Sequence, residues 1–260
     1  MLTDDLYWNE YWSDFTLPAE ITPGQSLLVR EITRLFDRYL PRKPGLRALE
    51  IGGAPGQYLA YLHRTFGYDV TVLDRSATGC EKARENFRLL GINGAVEHGD
   101  LFDDEADLGR FDVVYSLGLI EHFTDPLPVV TAHLRLLEPG GTLVLSCPNF
   151  LGINGSLVRR LSPALLDTLD VDTMRLESWR RFERDLGLEV LFRGHIGGFE
   201  PGLFWRLEGT RRTNRVLSLS LKALRRITDL RLARPLRRLN SPRWSPYLFG
   251  VYRLPATSEP

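Results

Sequence analysis

The chain has 260 residues, 43% of them hydrophobic and 25% charged, with 33 basic and 33 acidic side chains that cancel. This is enough apolar material for one large domain, or one domain with an inserted lobe, and it excludes a disordered chain outside the tail at 256–260. No run approaches the roughly 18 apolar residues of a membrane span, and the acidic, aromatic first ten residues lack the basic-then-apolar pattern of a signal peptide.

Cys80 and Cys147 stand far apart with no CxxC spacing, so a reduced, cytoplasmic setting is expected, with both thiols acting as small hydrophobes. The zero net charge conceals an asymmetry. Between Arg206 and Arg243 there are twelve Lys and Arg against Glu208 and Asp229, a segment charge of +10. Charge separated in this way points to a surface with its own partner.

In chain order, Tyr7-Trp8 and Tyr11-Trp12 repeat at a spacing of four and predict a helical face carrying aromatics. Residues 24–40 read as a leading helix, so 1–44 is expected to form a helical lid and lead-in. Residues 45–200 then alternate short apolar runs with helical periodicity. Strands are expected at 46–51, 69–73, 95–98, 111–115, 142–146 and 188–196, with a last one at 247–254. Helices are expected at 57–66, at 76–90 with Ser76 as cap and Gly91 as stop, at 125–137, and at 172–186. Pro139-Gly140-Gly141 reads as a turn. Alternation of this kind predicts an α/β doubly wound Rossmann-like sheet, seven-stranded and mostly parallel, with an antiparallel last strand.

The segment 201–243 is expected to be a basic helical insertion, and 244–260 the last strand and tail. Within the insertion, Val216, Leu217, Leu221, Leu224 and Ile227 gather on one helical side and Arg215, Ser218, Lys222 and Arg225 on the other. Three roles are open for it: a cap over an acceptor pocket, a peripheral contact of 206–243 with an anionic membrane, or an RNA contact. The last is disfavoured because no aromatic platform is interleaved with the basic residues. An oligomer contact is the remaining option.

The chemistry-bearing feature is Glu50-Ile51-Gly52-Gly53-Ala54-Pro55-Gly56, between a strand and a helix. Small residues there allow a sharp turn and close approach of a ligand to backbone, at the carboxyl ends of the strands where such sheets bind ligands. A nicotinamide fingerprint needs glycines at 52, 54 and 57, but Ala54 and Gln57 stand at two of them. Asp74, ending the second strand, can accept from both hydroxyls of a ribose. Asp100, after the third strand, can accept from an adenine amino group.

These segments resemble the class I S-adenosylmethionine-dependent methyltransferases, especially the small-molecule branch. ALEIGGAPG (48–56), VTVLDRS (70–76), EHGDLFD (97–103), FDVVYSLGLIEHFTD (111–125) and LRLLEPGGTLVLSCPN (134–149) match in order, and the resemblance extends over 24–196. Ala54 replaces the usual middle glycine of the first motif. The resemblance implies S-adenosyl-L-methionine as cofactor. It places Gly52, Gly53, Ala54 and Gly56 at its methionine part, Asp74 and Arg75 at the ribose, Asp100 and Leu101 at the adenine, and Ser116 beneath the sulfonium. Glu50 would organise the loop or reach the methionine amine through water.

Methyl transfer from a sulfonium is an in-line displacement in which the protein mainly positions the acceptor. His122, in Leu119-Ile120-Glu121-His122-Phe123, is the candidate general base. The alternative is that Glu121 and His122 cap a short helix and line the pocket. Tyr11, Trp12, Asn149 and His195 are the further candidates for contact with the acceptor. Some relatives hold a metal with an acid three residues before the Glu-His pair; Gly118 stands there, so no metal is expected. The resulting expectation is methyl transfer to a small-molecule or lipid-like acceptor, O-methylation favoured. A non-catalytic S-adenosylmethionine-binding module and an RNA methyltransferase are the alternatives.

Overall fold

The computed structural model describes residues 1–103, 108–161, 163–199 and 239–256. Most of the basic insertion, and with it the cap, membrane and RNA readings of 206–243, lies outside the described residues.

Seven strands form one sheet in the order β3-β2-β1-β4-β5-β7-β6. They are β1 (Arg47–Ile51), β2 (Asp69–Asp74), β3 (Ala95–His98), β4 (Phe111–Leu117), β5 (Leu137–Pro148), β6 (Glu189–Ile196) and β7 (Tyr247–Arg253). The first five pair in parallel, and β7 runs antiparallel between β5 and β6. The crossover direction reverses between β1 and β4, which makes their carboxyl ends the expected ligand crevice.

Strand alternation sends successive side chains to opposite faces. Ala48, Val72, Val113, Tyr115 and Val144 face one core, beneath α2 (Leu27–Tyr39), α3 (Gln57–Phe66) and α4 (Ala77–Leu90). Leu49, Val114, Leu143 and Leu145 face the other, beneath α5 (Pro126–Arg135) and α8 (Leu176–Asp185). Helix α2 buries Leu28, Val29, Ile32 and Phe36 on a single stripe. Side-chain caps fix the helix starts: Asp4 for α1 (Asp5–Ser13), Ser26 for α2, Ser76 for α4 and Asp125 for α5. Gly67 and Gly91 end α3 and α4 in the left-handed conformation that a Cβ disfavours.

The sequence reading differs from the structure in three places. Residues 139–141 lie within β5: Phe111 pairs with Leu137 but Val113 with Thr142, so β5 loops out its extra residues at Gly140, φ 80°, without leaving the sheet. Asp172 opens a 3-10 turn (Asp172–Met174), and α8 begins only at Leu176. The buried Trp179 Nε1 donates to Thr173 O at 2.8 Å and holds that break. Two helices, α6 (Ile153–Leu161) and α7 (Pro163–Leu166), follow β5 where no periodicity was legible. No helix among the described residues is long and apolar enough to cross a membrane.

Candidate active site

The carboxyl ends of β1, β2, β4 and β5, with α1 over them, enclose one cavity of about 1440 Å³. That exceeds the roughly 300–1,000 Å³ typical of a single drug-sized ligand, so it can hold two molecules side by side.

Its first half is built on the turn after β1. Gly52 has φ 65° and donates its N–H to Leu73 O at 2.8 Å, fastening the turn to β2. Gly53 is required because a Cβ there would overlap the Glu50 side chain, and Gly56, φ 79°, would press a Cβ into the Phe87 ring. Among these residues only Gly52 lines the cavity; Glu50, Gly53, Ala54 and Gly56 stand behind it. Glu50 is buried and accepts from the Tyr115 hydroxyl at 2.9 Å. Burial raises its pKa to about 8, against the Tyr115 hydrogen bond, with Asp74 adding to the rise. Glu50 is therefore a neutral strut under the loop.

Asp74 lines the cavity at the end of β2 and is only 4% exposed. Its two oxygens each accept one backbone N–H, from Ala54 at 3.3 Å and Ser76 at 2.8 Å. Burial raises its pKa to about 6, opposed by those two N–H groups and then by His98 and Arg75. Each oxygen keeps acceptor capacity for a ligand hydroxyl. Arg75 also lines the cavity, with Nε 2.6 Å from Asp5 Oδ1 of α1. After β3, Gly99, Asp100, Leu101 and Phe102 complete this wall; Asp100 Oδ1 accepts from Phe102 N at 2.9 Å, which forms the turn.

The second half follows β4. Gly118, φ 81°, turns the chain into a 3-10 turn, Ile120–His122, which carries both Glu121 and His122 in the cavity wall. His122 Nδ1 lies 2.9 Å from Thr168 O. A carbonyl can only accept, so Nδ1 carries the proton of the neutral ring and Nε2 carries the lone pair. Burial pushes the His122 pKa down to about 4, against that hydrogen bond, so at neutral pH the ring is neutral with Nε2 unprotonated, and it is a weaker base than a free imidazole. Glu121 is 2% exposed, and burial pushes its pKa up to about 8. Phe123, Pro148, Phe150, Leu165, Leu169 and Tyr247 make the rest of this half apolar.

Helix α1 roofs both halves. Tyr7, Trp8, Tyr11 and Trp12 all line the cavity, and the Trp8 ring meets His122 edge-on at 4.9 Å. Trp12 packs so closely on Gly79 that a Cβ there would lie 2.8 Å from its ring, and its Nε1 is buried without a partner among the described residues.

Three expected site residues stand elsewhere. Ser116 belongs to the α5 face of β4, where its hydroxyl meets His133 Nε2 at 3.0 Å, so it is not beneath the cavity. Asn149 spends its amide on Pro242 O and Ser245 O, both at 2.9 Å, and its carbonyl on Leu151 N; it anchors the entry to β7. His195 sits within β6 opposite Leu248, outside the cavity lining. Conversely, Thr168, Phe150 and Tyr247 come from segments where no motif marks them. Among the described residues no group of three His, Cys, Asp or Glu side chains is placed to hold a metal ion.

The first half fits S-adenosylmethionine by its own chemistry. A side-chain-free Gly52, a buried carboxyl with spare acceptor capacity and a second acid one strand away all line one space.

Comparison with known proteins agrees. Residues 24–192 match the family described as Methyltransferase domain. A ubiquinone biosynthesis O-methyltransferase of Cereibacter sphaeroides is 34% identical over 47% of this chain and 50% of its own length. A glycine/sarcosine/dimethylglycine N-methyltransferase of Actinopolyspora halophila is 30% identical over 56% of this chain and 26% of its own. The chain thus spans half or less of these curated relatives. A solved methyltransferase of Thiobacillus denitrificans, in complex with S-adenosyl-L-homocysteine, shares the fold with a TM-score of 0.54 at 20% identity, covering 98% of both chains. With the matched residues covering well over half its length, the chain belongs to the methyltransferase domain family and has the class I S-adenosylmethionine-dependent methyltransferase fold.

Proposed function

We propose that the protein transfers a methyl group from S-adenosylmethionine to a hydroxyl of a small, largely apolar molecule. The observation that carries this is the shared cavity: Gly52, Asp74 and Asp100 line one half, and Glu121 and His122 the other. The bound cofactor supplies an activated methyl group on sulfur. Asp74 accepts from the ribose hydroxyls, and Asp100 and Leu101 border the adenine. Helix α1 covers the reacting centre and keeps water out. His122 Nε2 takes the acceptor's proton as its oxygen gains the methyl group, and the Thr168 carbonyl holds the ring in the tautomer this requires.

O-methylation is favoured over N-methylation because a hydroxyl needs a base and His122 offers a free lone pair. The two curated relatives divide between O- and N-methyl transfer in their names.

The test is calorimetric titration with S-adenosylhomocysteine, followed by a methyl-transfer screen beginning with phenols and lipid alcohols. His122→Ala is expected to lower turnover about 100-fold with cofactor affinity nearly intact. A well-folded protein that does not bind S-adenosylhomocysteine would sink the proposal. A loss of only a few-fold in His122→Ala would remove the base.

A further inference from the structure

Glu121 has no evident structural task. Its backbone carbonyl accepts from Asp170 N at 2.6 Å, so the turn is secured without the side chain. Its Oε2 is buried and has no hydrogen-bond partner among the described residues. Leaving a buried polar oxygen unpaired costs about 1–3 kcal/mol, a cost that leucine at this position would avoid. Gly118 keeps the space beside the other oxygen open, since a Cβ there would lie 3.3 Å from Oε1. Glu121 lines the cavity, as do the apolar or aromatic residues Leu117, Leu119, Phe123, Phe150 and Tyr247.

The lining is rich in carboxyl groups. Asp14, Asp74, Asp100 and Glu121 line the cavity, and among the described lining residues Arg75 is the one Lys or Arg, already held by Asp5. Tyr7, Trp8 and Tyr11 add aromatic faces, which attract cations and not anions.

We infer that Glu121 is the recognition group for the acceptor: it receives a hydrogen-bond-donating substituent, a hydroxyl or a protonated amine, on a molecule that is otherwise apolar. The inference rests on the proposed two-ligand cavity and adds a selection rule to it. Once ionised, above its raised pKa of about 8, Glu121 can only accept, and acceptors whose polar group is a carboxylate or an ether are then rejected. Burial raises the Glu121 pKa, against a hydrogen bond from its own backbone N–H.

The test uses four probes on one ring system, 2-hydroxymethyl-, 2-aminomethyl- and 2-methoxymethylnaphthalene and 2-naphthoate. Each is titrated calorimetrically at pH 9, where Glu121 is ionised, into the whole protein saturated with S-adenosylhomocysteine. The alcohol and the amine are expected to bind at least about tenfold more tightly than the ether and the carboxylate, the scale of one charge-assisted hydrogen bond. Glu121→Leu is expected to erase that preference. Glu121→Gln, whose carbonyl still accepts, is expected to keep it for the alcohol and lose it for the amine. Equal or tighter binding of the ether or carboxylate by the unaltered protein, binding of none of the four, or a preference that survives Glu121→Leu would overturn the inference. If Glu121→Leu does not fold, Glu121→Gln with the amine and ether decides. The cofactor titration and the transfer assay report on the proposed function separately, so either can fail alone.

Discussion

The Leu2 amide donates to the His122 carbonyl at 2.7 Å, tying the start of the chain to the turn that carries the candidate base. A few residues on, α1 is tied to the opposite half of the cavity. Asp5 pairs with Arg75, and Asn9 Oδ1 accepts from Ser76 Oγ at 2.6 Å and from Thr78 N at 3.3 Å. The helix therefore bridges the walls proposed for cofactor and acceptor.

Asn9→Ala tests that bridge. It removes two hydrogen bonds to α4 while Ser76 still caps the helix through Gly79 N at 2.9 Å. At about 0.5–1.5 kcal/mol per bond, S-adenosylhomocysteine is expected to dissociate about tenfold faster in stopped-flow displacement, with the melting temperature lower by a few degrees. An unchanged off-rate would reduce α1 to a packing element.

Ser116→Ala separates the position implied by family resemblance from the position observed. His133 Nδ1 lies 2.7 Å from Val129 O, so its Nε2 needs a donor, and Ser116 supplies it inside the core. Losing that donor leaves a buried nitrogen unpaired, at about 1–3 kcal/mol. At roughly 2–4 °C per kcal/mol for a chain of this size, the melting point drops while S-adenosylhomocysteine affinity holds within about twofold. A tenfold loss of affinity at an unchanged melting point would return Ser116 to the cofactor.

The Ser116 case shows where a sequence stops being legible. The cap at Ser76 and the stop at Gly91 are local chemistry, and could be read directly. Asp74 and Asp100 could be placed because strand ends converge on one edge of a parallel sheet. Ser116 could not, because one residue of strand parity decides which face a side chain takes. Asn149 looked free beside the site, but its amide is consumed by Pro242 and Ser245, some ninety residues away. Thr168 orients His122 from a loop that carries no motif. Such partnerships are tertiary, and no local pattern encodes them.

Asp74 sets a pH limit on cofactor binding. Its raised pKa of about 6 means that the carboxylate takes a proton as the pH falls through that value. The protonated form offers one fewer good acceptor to the ribose diol. S-adenosylhomocysteine affinity is expected to be level from pH 7 to 9 and to weaken below about 6, by no more than tenfold per unit. Asp74→Asn is expected to bind more weakly throughout and to lose the inflection. An inflection that persists in Asp74→Asn would assign it to another group.

Glu50 makes the complementary prediction for stability. Its carboxyl lies under the Gly53 turn, bonded to the Tyr115 hydroxyl, and burial raises its pKa from 4.5 to about 8. Between those values the folded protein keeps a proton that the unfolded chain has released. The folded state binds more protons there, so stability falls as the pH rises through this window, by at most about 1.4 kcal/mol per unit. Above it the carboxyl is ionised in both states and adds no further slope. Glutamine keeps a carbonyl for the Tyr115 hydroxyl and is neutral at every pH. Glu50→Gln is therefore expected to melt like the parent near pH 5 and above it at pH 8–9. Glu121, whose pKa is also raised to about 8, leaves a residual slope in both proteins. Parallel melting curves for the two across this range would mean that Glu50 is not held neutral, and that its place beneath the loop is an ionised one.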